Sequence, residues 1–105
     1  MELAEIDGGR VLALRGRLDL PAAADLREAL HRAVDTGHGD LVLDLSALEI
    51  RDRAGLGVLL GAHRRASRTG RRLVLRDVPP SVQRMLRMTR LHRVLHVDAS
   101  GALVG

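Results

Sequence analysis

Short apolar runs alternate with longer segments of helical spacing along most of the chain. The pattern predicts five strands, over residues 3–6, 10–15, 41–45, 72–76 and 94–97. The first two are joined by Asp7-Gly8-Gly9, whose glycines supply the positive φ that a tight hairpin turn requires. The third, Leu-Val-Leu-Asp-Leu, is a compact apolar run, which is typical of a strand covered on both faces or nearly so.

Three helices are predicted between these strands, over residues 22–34, 52–69 and 81–88. In the first, apolar residues recur at helical spacing while charged residues avoid that face. Asp52 is expected to cap the second helix, because its carboxylate can accept the free N–H of Ala54 or Gly55. Gly57 and Gly61 lie one turn apart in the same helix, where glycine is unfavourable, and are expected to permit close approach to a neighbouring element.

The elements follow in the order β-β-α-β-α-β-α-β, which predicts an α/β fold. A strand pair followed by alternating helices and strands implies a mixed sheet with right-handed crossovers, and we expect the helices to pack mainly on one face. No repeat, linker or low-complexity segment interrupts residues 1–105, so the sequence predicts a single domain with a core over about residues 3–98. The sequence does not decide whether the tail, residues 98–105, forms a helical turn.

The composition excludes several classes of function. Phe, Trp and Tyr are absent, so the core must be aliphatic and no aromatic rings are available to stack nucleobases. The absence of Cys removes disulfides, thiolate metal sites and thiol nucleophiles. No apolar run approaches the length that spans a bilayer, and the acidic start, Met1-Glu2-Leu3-Ala4-Glu5, lacks the basic stretch of a signal peptide. We therefore expect a cytoplasmic protein without membrane insertion.

Candidate catalytic and metal-binding residues do not form a recognisable set. His92 and His96 have i, i+4 spacing, but the other ligands of a zinc site are missing. Asp44 has no partner carboxylate or nucleophile and is expected to hydrogen-bond nearby loop backbone. His63 is expected to pack at the edge of a helix face, and neither glycine-rich stretch has the lysine or the spacing of a phosphate-binding loop. The sequence thus predicts no enzyme activity, no metal, no cofactor and no small-molecule substrate.

The charge balance is basic: the net charge is +4, and all 17 basic residues are arginine. A cluster of them lies in the second half of the chain, at Arg64, Arg65, Arg68, Arg71 and Arg72. Nucleic-acid binding needs such charge, but no helix-turn-helix, aromatic platform or Gly-rich loop accompanies it. Solvated helix surface is the favoured interpretation, with steering toward an acidic protein partner as a second use. A basic nucleic-acid-binding protein remains an alternative of another class.

Several short motifs occur in an order and spacing that can be compared with known protein families. Gly16-Arg17-Leu18-Asp19 and Leu43-Asp44-Leu45-Ser46 each follow or end a strand, and Asp-Arg-Ala-Gly-Leu-Gly-Val-Leu at residues 52–59 opens a helix. Val78-Pro79-Pro80-Ser81-Val82, with Met85-Leu86, opens the next. In this order and spacing, residues 3–98 resemble the STAS domain, the module of anti-sigma factor antagonists and of sulfate-transporter tails. The free-standing bacterial antagonist is the best match.

The resemblance implies a function and also a departure from it. Such antagonists bind an anti-sigma factor, typically an ATP-dependent serine kinase, and so release a sigma factor for transcription. In the family the kinase phosphorylates the Ser or Thr before the Gly of an Asp-x-Ser-Gly-Leu motif, and phosphate there blocks binding. The residue at this position is Ala54, and no Ser or Thr occurs from residue 47 to residue 66. The resemblance therefore implies a binding module that is not switched by phosphorylation.

The expected partner surface comprises Asp19, Arg51, Asp52, Arg53, Ala54, Gly55 and Leu56. Arg51 and Arg53 bracket Asp52 with positive charge, and Asp19 either forms an acidic pair with Asp52 or serves only as a turn residue. An anti-sigma factor of the serine kinase type is the expected partner. The alternatives are a role as cytoplasmic regulatory subunit of a membrane transporter, or a divergent function of the same fold, and a homodimer is left open.

Overall fold

A computed structural model describes residues 1–98 of the chain. Its elements are β1 (Glu2–Ile6), β2 (Val11–Leu18), α1 (Leu20–Asp35), β3 (Leu41–Ile50), α2 (Ala54–Arg68), β4 (Leu73–Arg76), α3 (Pro80–Met88), a 3₁₀ turn (Leu91–Arg93) and β5 (His96–Val97). The predicted order of strands and helices is confirmed, with the 3₁₀ turn added before the last strand. The helical turn left open for residues 98–105 lies, beyond Asp98, outside the described residues.

The sheet is mixed, as predicted, and its five strands lie in chain order. β1 is antiparallel to β2, whereas β2, β3, β4 and β5 are parallel neighbours. Alternate residues of β2, β3 and β4 join residues of all three helices in one apolar cluster, so the helices cover one face. The largest fully buried side chains are Leu14, Leu18, Leu26, Leu30, Leu41, Leu43, Leu45, Leu59, Leu73, Leu75, Leu86 and Val34. The core is aliphatic, as the composition requires.

Strands β2 and β3 run further than the apolar pattern indicates. Ala13 pairs with Asp44 but Arg15 pairs with Ala47, so β3 holds one extra residue in a β-bulge. Before the bulge the odd-numbered residues of β3 are buried; after it, Leu48 is buried instead. The prediction that β3 ends at Leu45 and that residues 46–51 form a loop is wrong, because the bulge interrupts the period of two by which a strand is recognised.

Asp44 stabilises this bulge. Its carboxylate accepts the backbone N–H of Ser46 at 2.9 Å, which confirms the predicted hydrogen bond to nearby backbone. Arg76 on the neighbouring strand lies 3.6 Å away. Desolvation raises the pKa of Asp44, but the hydrogen bonds from Ser46 and the charge of Arg76 outweigh it and hold that pKa below its ordinary value.

Arg71 is buried, with only 8% of its surface exposed, so the prediction that it belongs to a solvated cluster is wrong. Its Nη1 donates to the carbonyl oxygens of Ala33 and Val34 at 2.9 and 2.8 Å, and its Nε donates to that of Gly39 at 2.9 Å. The last carbonyl groups of a helix lack partners within the helix, and one guanidinium group supplies several donors at once. Arg71 therefore closes the C-terminal end of α1.

Two other arginines of the predicted cluster are matched by carboxylates. Arg65 donates two hydrogen bonds to Asp35, at 2.9 and 2.7 Å, and Arg72 donates one to Asp40 at 2.7 Å. The Arg65 guanidinium holds the pKa of Asp35 below its usual value. Much of the charge that suggested a nucleic-acid surface is therefore engaged within the fold.

Replacing Arg71 tests its structural role. We expect Arg71→Met to lower the free energy of unfolding by about 2–4 kcal/mol, because the carbonyl groups at the buried end of α1 lose their donors. The adjacent Arg72→Met is the matched control and should change it by about 0.5 kcal/mol or less, since that side chain makes an exposed ion pair. Urea unfolding measures both. Equal losses in the two variants would contradict the assignment.

Candidate partner-binding site

The ends of β2 and β3 bring the predicted site residues to one edge of the sheet. Leu18 pairs with Ile50, and the N–H of Arg51 donates to the carbonyl oxygen of Leu18 at 2.9 Å. Because parallel strands end at the same edge, Asp19 after β2 and Asp52 after β3 emerge side by side. Both residues are half-buried.

Each of the two carboxylates caps its own helix. Asp19 is the N-cap of α1, with an extended backbone, and accepts the N–H of Ala22 at 3.1 Å. Asp52 accepts the N–H of Ala54 at 2.8 Å, as predicted, while the N–H of Gly55 donates to the backbone oxygen of Asp52 at 2.9 Å. The hydrogen bond predicted for Asp52 is therefore confirmed, but Asp52 makes it from one residue before the N-cap position, which is Arg53, whereas Asp19 is itself the N-cap of α1.

The close approach expected of Gly57 and Gly61 is found instead at Gly55. A Cβ atom added to Gly55 would lie 2.7 Å from Leu18 Cδ2 and 3.2 Å from Ile50 Cγ2. One added to Gly57 or Gly61 would meet nothing within 4 Å. The prediction for these two glycines is wrong because spacing alone does not tell which face of a helix meets the sheet.

The seven predicted surface residues separate into an exposed set and a buried set. Arg51 and Arg53 are exposed, and Ala54 is half-buried at the first position of α2. Gly55 is buried and Leu56 is only 3% exposed, within the core cluster. The last two therefore lie beneath the surface and position the residues around them, rather than offering side chains to a partner.

Positive charge surrounds Ala54. Glu49 attracts Arg51, at 3.2 Å, and Arg17, at 3.8 Å. Within residues 1–98, the Arg53 side chain makes no ion pair or hydrogen bond. The first N–H groups of α2 add a further positive potential, because the peptide dipoles of a helix are aligned. The Asp52 carboxylate accepts the N–H of Ala54 and Glu49 pairs with Arg51, so within residues 1–98 Arg53 carries the unpaired positive charge beside the Ala54 methyl group. An oxygen would be needed at this position to accept a phosphoryl group.

Two exposed apolar residues flank this site and were missed by the sequence analysis. Leu20, directly after the Asp19 cap, is 62% exposed, and Met88 at the end of α3 is 72% exposed. Met88 also lines a small cavity of about 40 Å³, together with Arg53, Leu56, Met85 and Thr89. For Met88 the available signal was its spacing, which places it opposite the buried Val82 and Leu86 of α3.

His63 occupies the edge of α2, where it was predicted. Its ring centroid is 5.6 Å from that of His96, and its Nδ1 is buried without a hydrogen-bond partner in the described chain. Burial lowers the pKa of His63, and the neighbouring His96 and Arg64 lower it further.

Residues 1–98 contain no group of three or more His, Cys, Asp or Glu side chains that could hold a metal ion. No helix in that range is long and apolar enough to cross a bilayer.

Comparison with known proteins agrees with this architecture. The family described as "Mlab, STAS domain" matches residues 1–102. The anti-sigma F factor antagonist of Paenibacillus polymyxa is 29% identical over 98 residues, which are 92% of this chain and 84% of that protein. An anti-sigma factor antagonist of Mycobacterium paratuberculosis has a similar structure, with a TM-score of 0.72 and 27% identity over 98% of this chain and 89% of that one.

A third neighbour has been solved in two states. The antagonist SpoIIAA of Bacillus has TM-scores of 0.73 unphosphorylated and 0.68 phosphorylated, at 21% and 20% identity. The unphosphorylated alignment covers 98% of this chain and 91% of SpoIIAA, and the phosphorylated one covers 98% and 95%. The chain belongs to the STAS-domain family. Its fold is that of anti-sigma factor antagonists.

Glycine substitutions in α2 test the contact at its start. We expect Gly55→Ala to lower the free energy of unfolding by about 1–3 kcal/mol, because the new methyl group overlaps Leu18 and Ile50. Gly57→Ala is the control and should raise it by about 0.5–1 kcal/mol, since open space surrounds that position and alanine favours the helix. Thermal and urea unfolding provide the measurements, and a stabilising Gly55→Ala would rule out the close contact.

The buried His63 predicts a loss of stability at acid pH. The unfolded chain takes up a proton near the ordinary pKa of 6.5, but the folded protein binds it only at lower pH. The stability contributed by neutral His63 is therefore complete above pH 6.5 and falls as the pH drops below that value. We expect a smaller loss in His63→Gln than in wild type between about pH 7.5 and about pH 5, measured by urea unfolding. Identical pH profiles would contradict this account.

Proposed function

We propose that this chain is a non-catalytic anti-sigma factor antagonist of the cytoplasm that binds an anti-sigma factor of the serine kinase type through the start of α2. The observation that carries the proposal is the placement of Ala54. It lies at the first position of α2, half-buried at the sheet edge, with Arg51 and Arg53 exposed beside it. The relatives from Paenibacillus polymyxa and Mycobacterium paratuberculosis support the class of partner, because both are named anti-sigma factor antagonists.

The absence of a hydroxyl group at residue 54 gives the proposal its specific form. Phosphoryl transfer requires an acceptor oxygen, and alanine has none. The nearest hydroxyl groups along the chain are those of Ser46, before the end of β3, and Ser67, near the far end of α2. Ser67 lies about 20 Å along the helix from Ala54. Neither residue can place a phosphate at the start of α2, and the Thr89 hydroxyl group, which lies near Arg53, donates to the backbone oxygens of Met85 and Leu86. Binding is therefore constitutive with respect to phosphorylation at residue 54.

The electrostatics of the site are consistent with permanent binding. A phosphate at residue 54 would lie beside the exposed guanidinium group of Arg53, which makes no ion pair or hydrogen bond within residues 1–98. With a methyl group there, this guanidinium group stays available to a partner. The site therefore keeps the charge that belongs to an unphosphorylated antagonist, and Asp52 maintains the helix start without help from residue 54.

Affinity capture distinguishes this function from its alternatives. The wild-type chain is used as bait in lysate from its own source, and bound proteins are identified by mass spectrometry. Recovery of an anti-sigma kinase supports the proposal, and recovery of a transporter ATPase subunit assigns the chain to a transporter instead. Tight, sequence-insensitive binding of DNA at physiological salt would favour the nucleic-acid alternative.

Ala54→Asp tests the surface directly. The mutant should remain folded, because negative charge in the first turn of a helix is favourable by about 0.3–1 kcal/mol. Its affinity for the captured anti-sigma factor should nevertheless fall about tenfold or more, since the aspartate brings part of a phosphate's charge to the contact. Isothermal titration calorimetry measures the dissociation constant.

Ser67→Asp is the matched control, because it adds the same charge near the opposite end of α2, and it should bind within about threefold of wild type. Ala54→Ser supplies the complementary arm: with the kinase and ATP it should gain a phosphoryl group that wild type does not accept. Unchanged affinity in a folded Ala54→Asp would show that the surface lies elsewhere.

A further inference from the structure

Exposed arginines without an internal partner recur along α3 and the following turn. Residues 78–97 contain four arginines and no acidic residue. Arg84, Arg87, Arg90 and Arg93 are all exposed, and none makes an ion pair or side-chain hydrogen bond within residues 1–98. By contrast, Arg65, Arg72 and Arg76 are matched by carboxylates, and Arg71 is matched by backbone oxygens. Arg64 and Arg68 of α2 are also exposed without a partner, so what distinguishes α3 and the 3₁₀ turn is that four unmatched arginines occur there with no carboxylate in residues 78–97.

Part of this charge lies on the outer side of α3. The buried residues of the helix are Val82 and Leu86. Arg84, Arg87 and Met88 lie on the opposite side, since residues three or four positions apart share a helix face. We call Arg84, Arg87, Met88, Arg90 and Arg93 the α3 surface.

Arg90 has a backbone conformation that is unfavourable for arginine. It follows the C-cap of α3 in the left-handed region, with φ 61° and ψ 12°. Glycine is the usual residue at this position, because other residues are strained there. The Arg90 side chain makes no hydrogen bond or ion pair with residues 1–98 that would compensate. An exposed side chain that strains the backbone and serves no internal contact points to a use outside the fold.

The α3 surface continues into the proposed partner site. Met88 and Arg53 line the same small cavity, with Leu56 and Met85 beneath them. The exposed apolar side chain of Met88 thus lies close to Arg53 and connects α3 with the start of α2. Apolar contacts combined with arginine are typical of protein-binding surfaces.

We propose that α3 and the 3₁₀ turn extend the partner site and bind an acidic surface of the anti-sigma factor, with Met88 as the apolar contact. The identity of that partner rests on the proposed function. Charge complementarity requires an acidic partner, and continuity with the start of α2 makes it the same protein. A protein fits better than a nucleic acid, because the exposed residue beside the arginines is an aliphatic thioether and no Phe, Tyr or Trp is available for base stacking.

The test is the binding of the purified anti-sigma factor, identified by capture with wild type, to Arg84→Glu/Arg87→Glu in the full chain. We expect the dissociation constant to rise about tenfold or more, with a weaker dependence on salt than in wild type. Arg64→Glu/Arg68→Glu is the matched control. It reverses the same number of exposed arginines on the far half of α2, and its affinity should stay within about threefold. Circular dichroism confirms that both proteins are folded.

Arg90→Gly separates binding from stability. Its melting temperature should equal or exceed that of wild type, because glycine relieves the left-handed conformation. Its affinity should nevertheless fall about threefold or more through the loss of one charge. A melting temperature below that of wild type would assign Arg90 a structural role and count against the proposal.

The remaining outcomes identify which conclusion fails. If Ala54→Asp loses binding while Arg84→Glu/Arg87→Glu retains it, the α3 surface is not part of the interface and the proposed function stands. If wild type binds no anti-sigma factor, both proposals fall. If duplex DNA or phosphatidylglycerol vesicles bind through the same arginines and the anti-sigma factor does not require them, the surface serves a polyanion and the inference is overturned.

Discussion

The packing of Gly55 against the ends of β2 and β3 determines where α2 starts and which residues it presents. Leu18 and Ile50 are paired at the sheet edge, and the helix crosses them at a distance that leaves no room for a Cβ atom. This contact buries Gly55 and Leu56, while Arg53 just before them stays exposed. The geometry of the proposed partner site is thus set by core packing rather than by a freely chosen loop conformation. A binding surface fixed in this way is preorganised, which reduces the ordering that association requires.

The elements could be predicted from the sequence, but the places where they meet could not. Apolar periodicity located the three helices and strands β2, β3 and β4 because each buries one face of its own, whereas β1 and β5 contain no buried residue. Periodicity did not predict that β3 continues beyond Leu45, because a bulge at this point shifts the buried positions by one residue. It also could not show which glycine of α2 faces the sheet. Arg71 and Arg72 are adjacent and chemically identical, yet one is buried and the other exposed. The difference arises from the end of α1, more than thirty residues earlier in the chain, which local pattern does not register.

In the proposed site, some features follow from the local sequence, whereas others depend on contacts with residues that are distant in the chain. The capping role of Asp52 follows from residue type and spacing, so the sequence was sufficient to predict it. The burial of Leu56 was not predictable from the motif, because a contiguous motif says nothing about which of its side chains point inward. Since the cap is made by Asp52 and the close approach by Gly55, neither depends on the side chain of residue 54. The fold can therefore lose the phosphoacceptor hydroxyl without losing the shape around it.

Charge content alone does not separate structural from interacting arginines in this protein. All 17 basic residues are arginine, so neither the net charge nor the density of arginine along the chain indicates a binding surface. The guanidinium group explains why this residue serves both purposes: its fixed donors suit helix-end carbonyls and carboxylates, and its weak hydration suits an interface. In the α2–β4 region, partners within the fold are found by Arg65, Arg71, Arg72 and Arg76, but not by Arg64 and Arg68. On α3 the packing of Val82 and Leu86 directs the arginines away from the core, and no carboxylate of residues 78–97 is available to meet them. An acidic partner that covered Met88 would bring these guanidinium groups into a less polar environment, where each ion pair is stronger than it is in water.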